Sequence, residues 1–242
     1  MPIGIIINGF SVILGGIFGC LLGKKLDEAI QDKLQMVFAV CSMCMGIGSI
    51  ILMQNMPAVV FSMIFGTVIG HFCHLEKSIH KAAKWMQKVM MRLFGSASTF
   101  SAEGNGDMML TVIVLFCASG TGIYGSMISS MTGDHSILIA KSILDLFTAL
   151  IFACSLGMVV SLVAIPQMLL FLILFFCAGL IYPLCTPEMI GDFKACGGCI
   201  MLATGFRMAR LKQFPIADMI PAMALVMPIS WLWMNHILPL VS

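Results

Sequence analysis

Runs of about twenty apolar residues follow one another along almost the whole chain, and this feature constrains the fold more than any other. A bilayer core is about 30 Å thick, a distance an α-helix covers in about 20 residues. Within lipid the backbone N–H and C=O groups must find partners inside the chain, so each run is expected to be helical. About eight segments qualify, the seventh of them short: 3–23, 36–53, 57–73, 108–131, 137–165, 166–185, 194–208 and 215–233. The expected fold is an all-α polytopic membrane protein, a single transmembrane domain over residues 1–242. Composition points the same way, because 60% apolar and 10% charged residues lie outside the range of soluble domains.

Residues 74–94 depart from the pattern. Leu75, Ile79, Ala82, Met86, Val89 and Leu93 recur at helical spacing, opposite Lys77, Lys81, Lys84, Lys88 and Arg92. An apolar stripe backed by a basic one describes an amphipathic helix lying in the membrane interface, its cations toward lipid headgroups. Residues 95–107, rich in Gly, Ser and Ala, read as a flexible linker. With eight spans and the N-terminus outside, eleven of the thirteen basic residues fall on the cytoplasmic side, Lys141 and Lys194 excepted. The C-terminus is then outside as well.

Small residues mark where helices should touch. Ser11, Gly15, Gly19 and Gly23 form one face of the first span, and such rows let two backbones approach closely. They suit internal packing or the seam of a homodimer, which makes a second copy of the chain a candidate partner beside the lipid bilayer. In the fourth span Ser119, Gly120, Thr121 and Gly122 offer either tight packing or a break in the helix. Broken helices at membrane depth line cavities and hold ions, so Gly120 and Gly122 join the candidate site.

Lys141 and Asp145 stand one helical turn apart inside the fifth span. Ionisable groups in such a span are costly and mark binding sites or proton paths. Ser142 beside them and Asn8 in the first span are grouped with this pair as residues for a small solute or ion. Glu188 and Asp192, four residues apart in the polar stretch 186–193, are candidates to join Asp145. Upstream, Asp134, His135 and Ser136 follow Gly133 and read as a helix start. The pairs Cys41/Cys44 and Cys196/Cys199 have redox or metal spacing but lie in apolar helices without nearby His or charged partners, so they are read as packing residues. No metal, cofactor, catalytic residue or nucleic-acid partner is expected, because no metal set, peptidase signature or nucleotide-binding loop is present.

Segments 28–70 and 188–227 share an order of Glu, Asp, Lys, a Cys-x-x-Cys pair, a glycine and a proline, and run in opposite directions in this topology. That is the pattern of an inverted repeat. The opening span with Asn8 and its glycine row, the run Gly133, Asp134, His135, Ser136 leading to Lys141, Ser142 and Asp145, and the stretch Gly197, Gly198 and Gly205 leading to Pro221 together resemble the YdfK/YqgA-like bacterial inner-membrane family, domain of unknown function 554. The resemblance covers nearly the whole chain and implies a multi-pass protein of the bacterial inner membrane. It assigns no activity. The chain departs from the family pattern at Asp218, where asparagine is usual, at Cys196, where a small residue such as alanine is common, and at Leu146, where a glycine often follows the aspartate. The last argues against a helix break just after Asp145. The expected function is secondary transport of a small solute or ion, with Asp145 as the proton, cation or substrate site. The competing expectation is a structural or regulatory membrane protein that acts through helix-mediated oligomerisation.

Overall fold

The structure is a computed structural model that describes residues 1–22, 28–94 and 105–241. Among these residues all regular structure is helical. In chain order the α-helices are α1 (Ile3–Leu22), α2 (Glu28–Ile50), α3 (Met56–Phe72), α4 (Leu75–Phe94), α5 (Asn105–Cys117), α6 (Gly120–Thr132), α7 (Ser136–Leu156), α8 (Val159–Leu162), α9 (Ala164–Ile181), α10 (Pro187–Met208), α11 (Ile216–Met219), α12 (Pro221–Leu232) and α13 (Leu238–Val241). Six stretches among the described residues are long and apolar enough to cross a membrane, or seven if Met56–Phe72 and Leu75–Val89, bent by 57°, count as one span. The chain divides into two compact units, Met1–Gln35 with Ser78–Gly179 and Met36–Lys77 with Leu180–Ser242.

In the first unit α1 and α7 run side by side in the same direction. Gly4 lies on Leu138, Gly15 on the Leu146 carbonyl and Ala149, and Gly19 on the Leu150 carbonyl and Ala153. A second glycine face of α1 receives other neighbours, Met168 at Gly9 and Ser161 at Gly16. The helix can therefore lie against two partners at backbone distance, which gains dispersion contacts that larger side chains would forbid. Ile6, Phe10, Leu14 and Phe18 recur every fourth residue on the remaining, exposed face, as a lipid-facing stripe requires. The glycine row is thus spent on an internal seam. Gly23 lies outside the described residues.

The fourth span is interrupted where its small residues cluster. α5 ends at Cys117 and α6 starts at Gly120, with Ser119 Oγ accepting from Gly122 N at 3.4 Å. A hydroxyl that competes for the backbone, followed by side-chain-free positions, makes a restart cheap there. The fifth span is shorter than the expected 137–165: α7 stops at Leu156, where Gly157 takes a φ of +73°, and the residues beyond belong to α8 and α9. α7 is continuous through Leu146, in line with the missing glycine at that position.

In the second unit α2 and α10 run antiparallel. Gly46 and Gly198 each press on the other's carbonyl, flanked by Gly205 on the Ala39 carbonyl and Gly191 on the Leu52 carbonyl. α3 and α12 form a second antiparallel pair, Gly66 against Ala222 and Gly70 against the Asp218 backbone. The stretch 186–193, read from its charges as a polar loop, is instead the start of α10. Thr186 caps it, accepting from Met189 N at 3.3 Å, and Pro187 opens the first turn. Proline and an acid in a first turn are favourable helix features, because the amides there lack intrahelical acceptors and carry partial positive charge.

In α4, Lys77, Lys81, Lys84, Lys88 and Arg92 are exposed while Ala83, not Ala82, lies on the buried side. Residues 95–104 lie outside the described residues, and α5 begins at Asn105.

The glycine seam makes a directional prediction. Gly19→Ala forces a methyl onto the Leu150 carbonyl and should cost roughly 2 kcal/mol or more, whereas Gly48→Ala, which faces open space within α2, should cost nothing and gain up to about 1 kcal/mol. Unfolding of the two purified variants in detergent measures the difference; equal stability of the pair would contradict the seam.

Candidate functional site

Three helices of the first unit bring four polar side chains to one buried point. Lys141 and Asp145 come from α7, on one face because they are four residues apart. Asn8 comes from α1 and Gln167 from the second turn of α9. Lys141 Nζ donates to Asp145 Oδ1 at 2.7 Å and Oδ2 at 2.6 Å. Asp145 Oδ2 also accepts from Asn8 Nδ2 at 2.8 Å and from Gln167 Nε2 at 3.0 Å, and Gln167 Nε2 reaches Asn8 Oδ1 at 2.8 Å. The four residues are between 0% and 7% exposed, so solvent contributes little to holding these charges. Desolvation of the pair is offset by direct contact and by amide donors on the carboxylate.

The surroundings of Lys141 are both aromatic and backbone. Its Nζ sits 5.9 Å from the ring centres of Phe116 and Phe171, at the outer range for attraction between a cation and a ring face. Gly122, in the first turn of α6, lies against the Lys141 chain and Phe171, so a side chain at that position would displace them. The interruption between α5 and α6 therefore adjoins the ion pair. Ser142 is buried beside the pair but its hydroxyl is engaged by the Leu138 carbonyl at 2.6 Å. At the start of α7, Asp134 Oδ1 accepts from Ser136 N at 2.9 Å, while His135 Nδ1 lies 2.6 Å from Ser129 Oγ and ties α7 back to α6.

Comparison with known proteins places this chain in a family. The model for a protein of unknown function, DUF554, matches residues 3–231. The chain belongs to DUF554. It is 45% identical over 233 residues to the uncharacterized protein YqgA of Escherichia coli K12, covering 96% of this chain and 98% of that one. It is 23% identical over 233 residues to the uncharacterized membrane protein YdfK of Bacillus subtilis 168, covering 91% and 92% of the two chains. No solved structure matches. The family resemblance carried by the glycine row, the Lys141–Asp145 region and the Gly197–Pro221 region is therefore correct, and this DUF554 chain, with its several apolar helices, is a membrane protein. Asn8, Lys141, Asp145 and Gln167 all fall within the DUF554 match.

Gln167 is the member that sequence reasoning passed over. Its signal was available: one amide in a strongly apolar run, where a polar side chain is costly unless a neighbouring helix satisfies it.

The other polar candidates of this DUF554 chain lie in the second unit. Asp192 is fully buried, and its carboxylate accepts from Gln54 N at 2.9 Å, Asn55 N at 2.7 Å, Asn55 Nδ2 at 2.9 Å and Ser230 Oγ at 2.6 Å. It ties the turn before α3 to α10 and α12. Glu188 is half-buried in the first turn of α10. Asp218 accepts from Glu76 N at 3.4 Å and stands 3.7 Å from His71 Nδ1, under the bend between α3 and α4. Cys41 and Cys44 are exposed, and buried Cys196 donates to Met63 Sδ at 3.4 Å. Among the described residues no three His, Cys, Asp or Glu side chains gather as a metal site would need.

Two substitutions test how these buried carboxylates are held. Lys141→Met leaves Asp145 buried without its cation and should cost about 3–5 kcal/mol, part of which the double variant Lys141→Met, Asp145→Leu should recover, the remainder reflecting the acceptor lost to Asn8 Nδ2 and Gln167 Nε2. Asp192→Leu strands backbone donors at Gln54 and Asn55 and should cost roughly 2–5 kcal/mol. Unfolding in detergent reads both, and a double variant no more stable than the single one would count against the pairing.

Proposed function

We propose that this DUF554 protein is a small secondary transporter that moves a small solute or ion across the bacterial inner membrane, with Asp145 at its binding site. The observation that carries the reading is the Lys141–Asp145 pair, enclosed with Asn8 and Gln167 among apolar spans and adjoining an interrupted helix. A buried ion pair stabilises little more than well-packed apolar side chains of the same volume, so stability alone is a weak reason to keep one. Ionisable groups facing the inside of a bundle, beside a discontinuous helix, are the ingredients of solute and ion paths.

The finer topology belongs to the same proposal. Counting α10, 22 residues long, as an eighth span keeps the basic loops on the cytoplasmic side and both termini outside. The second unit is then an inverted repeat. Gly46 and Gly198 face each other 152 positions apart (198 minus 46), and the same step turns the contact Gly66–Ala222 into Asp218–Gly70, which is also made. This register pairs Cys44 with Cys196 and so differs by three residues from one that aligns the two Cys-x-x-Cys pairs. The competing reading, assembly through the α1 glycine row, loses its support because that row packs within the chain. No enzymatic step is part of the proposal.

The purified protein and Asp145→Asn should be compared by thermal unfolding against cations and small metabolites. A transported solute should raise the wild-type midpoint in proportion to RT ln(1 + [L]/Kd), about 2.7 kcal/mol at a hundredfold excess, and should leave Asp145→Asn unmoved. A variant that responds as the wild type does would remove Asp145 from the site.

A further inference from the structure

Gln167 Oε1 is buried and has no hydrogen-bond partner among the described residues. Its orientation is held by its own amide nitrogen. Turned over, the oxygen would face Asn8 Oδ1 and Asp145 Oδ2 at the 2.8 and 3.0 Å now spanned by donated hydrogen bonds, acceptor against acceptor. Buried polar atoms are almost always paired, so an orphan of this kind asks for a donor from outside the chain.

Charge limits what the donor can be. Lys141 and Asp145 cancel, and the two amides are neutral, so an added lone cation or anion leaves one buried charge uncompensated. A net-neutral solute adds none. The cluster also has two chemically opposite ends. Gln167 Oε1 and the Asp145 carboxylate are acceptors that suit an ammonium group. Lys141 Nζ is a cation, and Gly122 beside its chain belongs to the first turn of α6, a 13-residue helix whose opening amides carry partial positive charge and lack intrahelical acceptors. These suit a carboxylate.

We propose that the cluster binds a small zwitterion of the α-amino acid type. Gln167 Oε1 and Asp145 take its ammonium, Lys141 and the opening amides of α6 take its carboxylate, and the Lys141–Asp145 pair parts to admit it. One internal ion pair is exchanged for two with no change in net charge. The proposal names a solute class for the transporter reading and rests on it.

The test titrates the full chain in detergent with glycine and L-alanine in the millimolar range, reading the thermal midpoint and the binding of radiolabelled glycine. Methylammonium chloride, sodium acetate and sodium chloride at matched ionic strength serve as the two half-molecules and the ion control. The zwitterions should raise the midpoint with the logarithm of their concentration, by about 5–10 °C at a hundredfold excess over Kd, and the half-molecules should not. Gln167→Leu should weaken glycine binding at least about tenfold, the scale of one lost hydrogen bond to a charged group. Should that variant fail to fold, Gly122→Ala, which pushes a methyl onto Phe171 and the Lys141 chain, should show the same loss. A wild type that responds to neither zwitterion overturns the proposal. So does one that responds to sodium or methylammonium as strongly as to glycine, although Asp145 then stays at the site. If Asp145→Asn binds glycine as tightly as the wild type, it is the transporter reading centred on Asp145 that falls.

Discussion

One carboxylate, Asp145, is the point on which the first unit depends. It accepts from a lysine on its own helix and from amides on two others, so α1, α7 and α9 share a single electrostatic anchor. No bulk water at this depth can take over a hydrogen bond that is lost, and each donor left behind carries its full desolvation cost. The anchor also needs the glycine seam. Asparagine is a short side chain, and Asn8 reaches Asp145 only because Gly4, Gly15 and Gly19 let α1 lie on the backbone of α7. The close approach and the polar contact thus support each other: the seam sets the distance, and the hydrogen bonds set the register along it.

The second unit buries a carboxylate to different effect. Among the described residues Asp192 has four donors, two of them backbone amides at the turn before α3, and no cation. Its lone pairs are spent on holding α10, α12 and that turn. Around Asp145, by contrast, one amide acceptor stays unpaired and the neighbouring helix is interrupted. Two acids of similar burial therefore differ in what they can still bind, and the difference lies in their partners, not in their own chemistry.

The interruption between α5 and α6 follows from its residues. Ser119, Gly120 and Gly122 weaken the helix ladder there and supply a cap for the restart, and the restart lies beside the lysine chain. A continuous helix would bring no helix start to that place. The α1 glycine row and the α6 glycines look alike in composition but do different work, the first bringing two backbones together and the second opening a backbone beside a charged side chain.

Much of this is legible in the order of the amino acids. The lengths of the apolar runs, the basic face of α4, the placement of Lys141 and Asp145 one turn apart and the spacing of Gly15 and Gly19 are local properties, fixed by helix geometry and by what lipid excludes. Tertiary structure decided the rest: that Asn8 and Gln167, separated from their partners by 137 and 22 residues, complete the Asp145 cluster; that Asp192 lies inside a helix and accepts from the amides of a turn 137 residues away; and that the glycine row is an internal seam. Periodicity says which face a residue occupies but not which helix comes to meet it. Partner choice between distant segments is a property of packing, and so is whether a buried acceptor, such as Gln167 Oε1, is left without a donor.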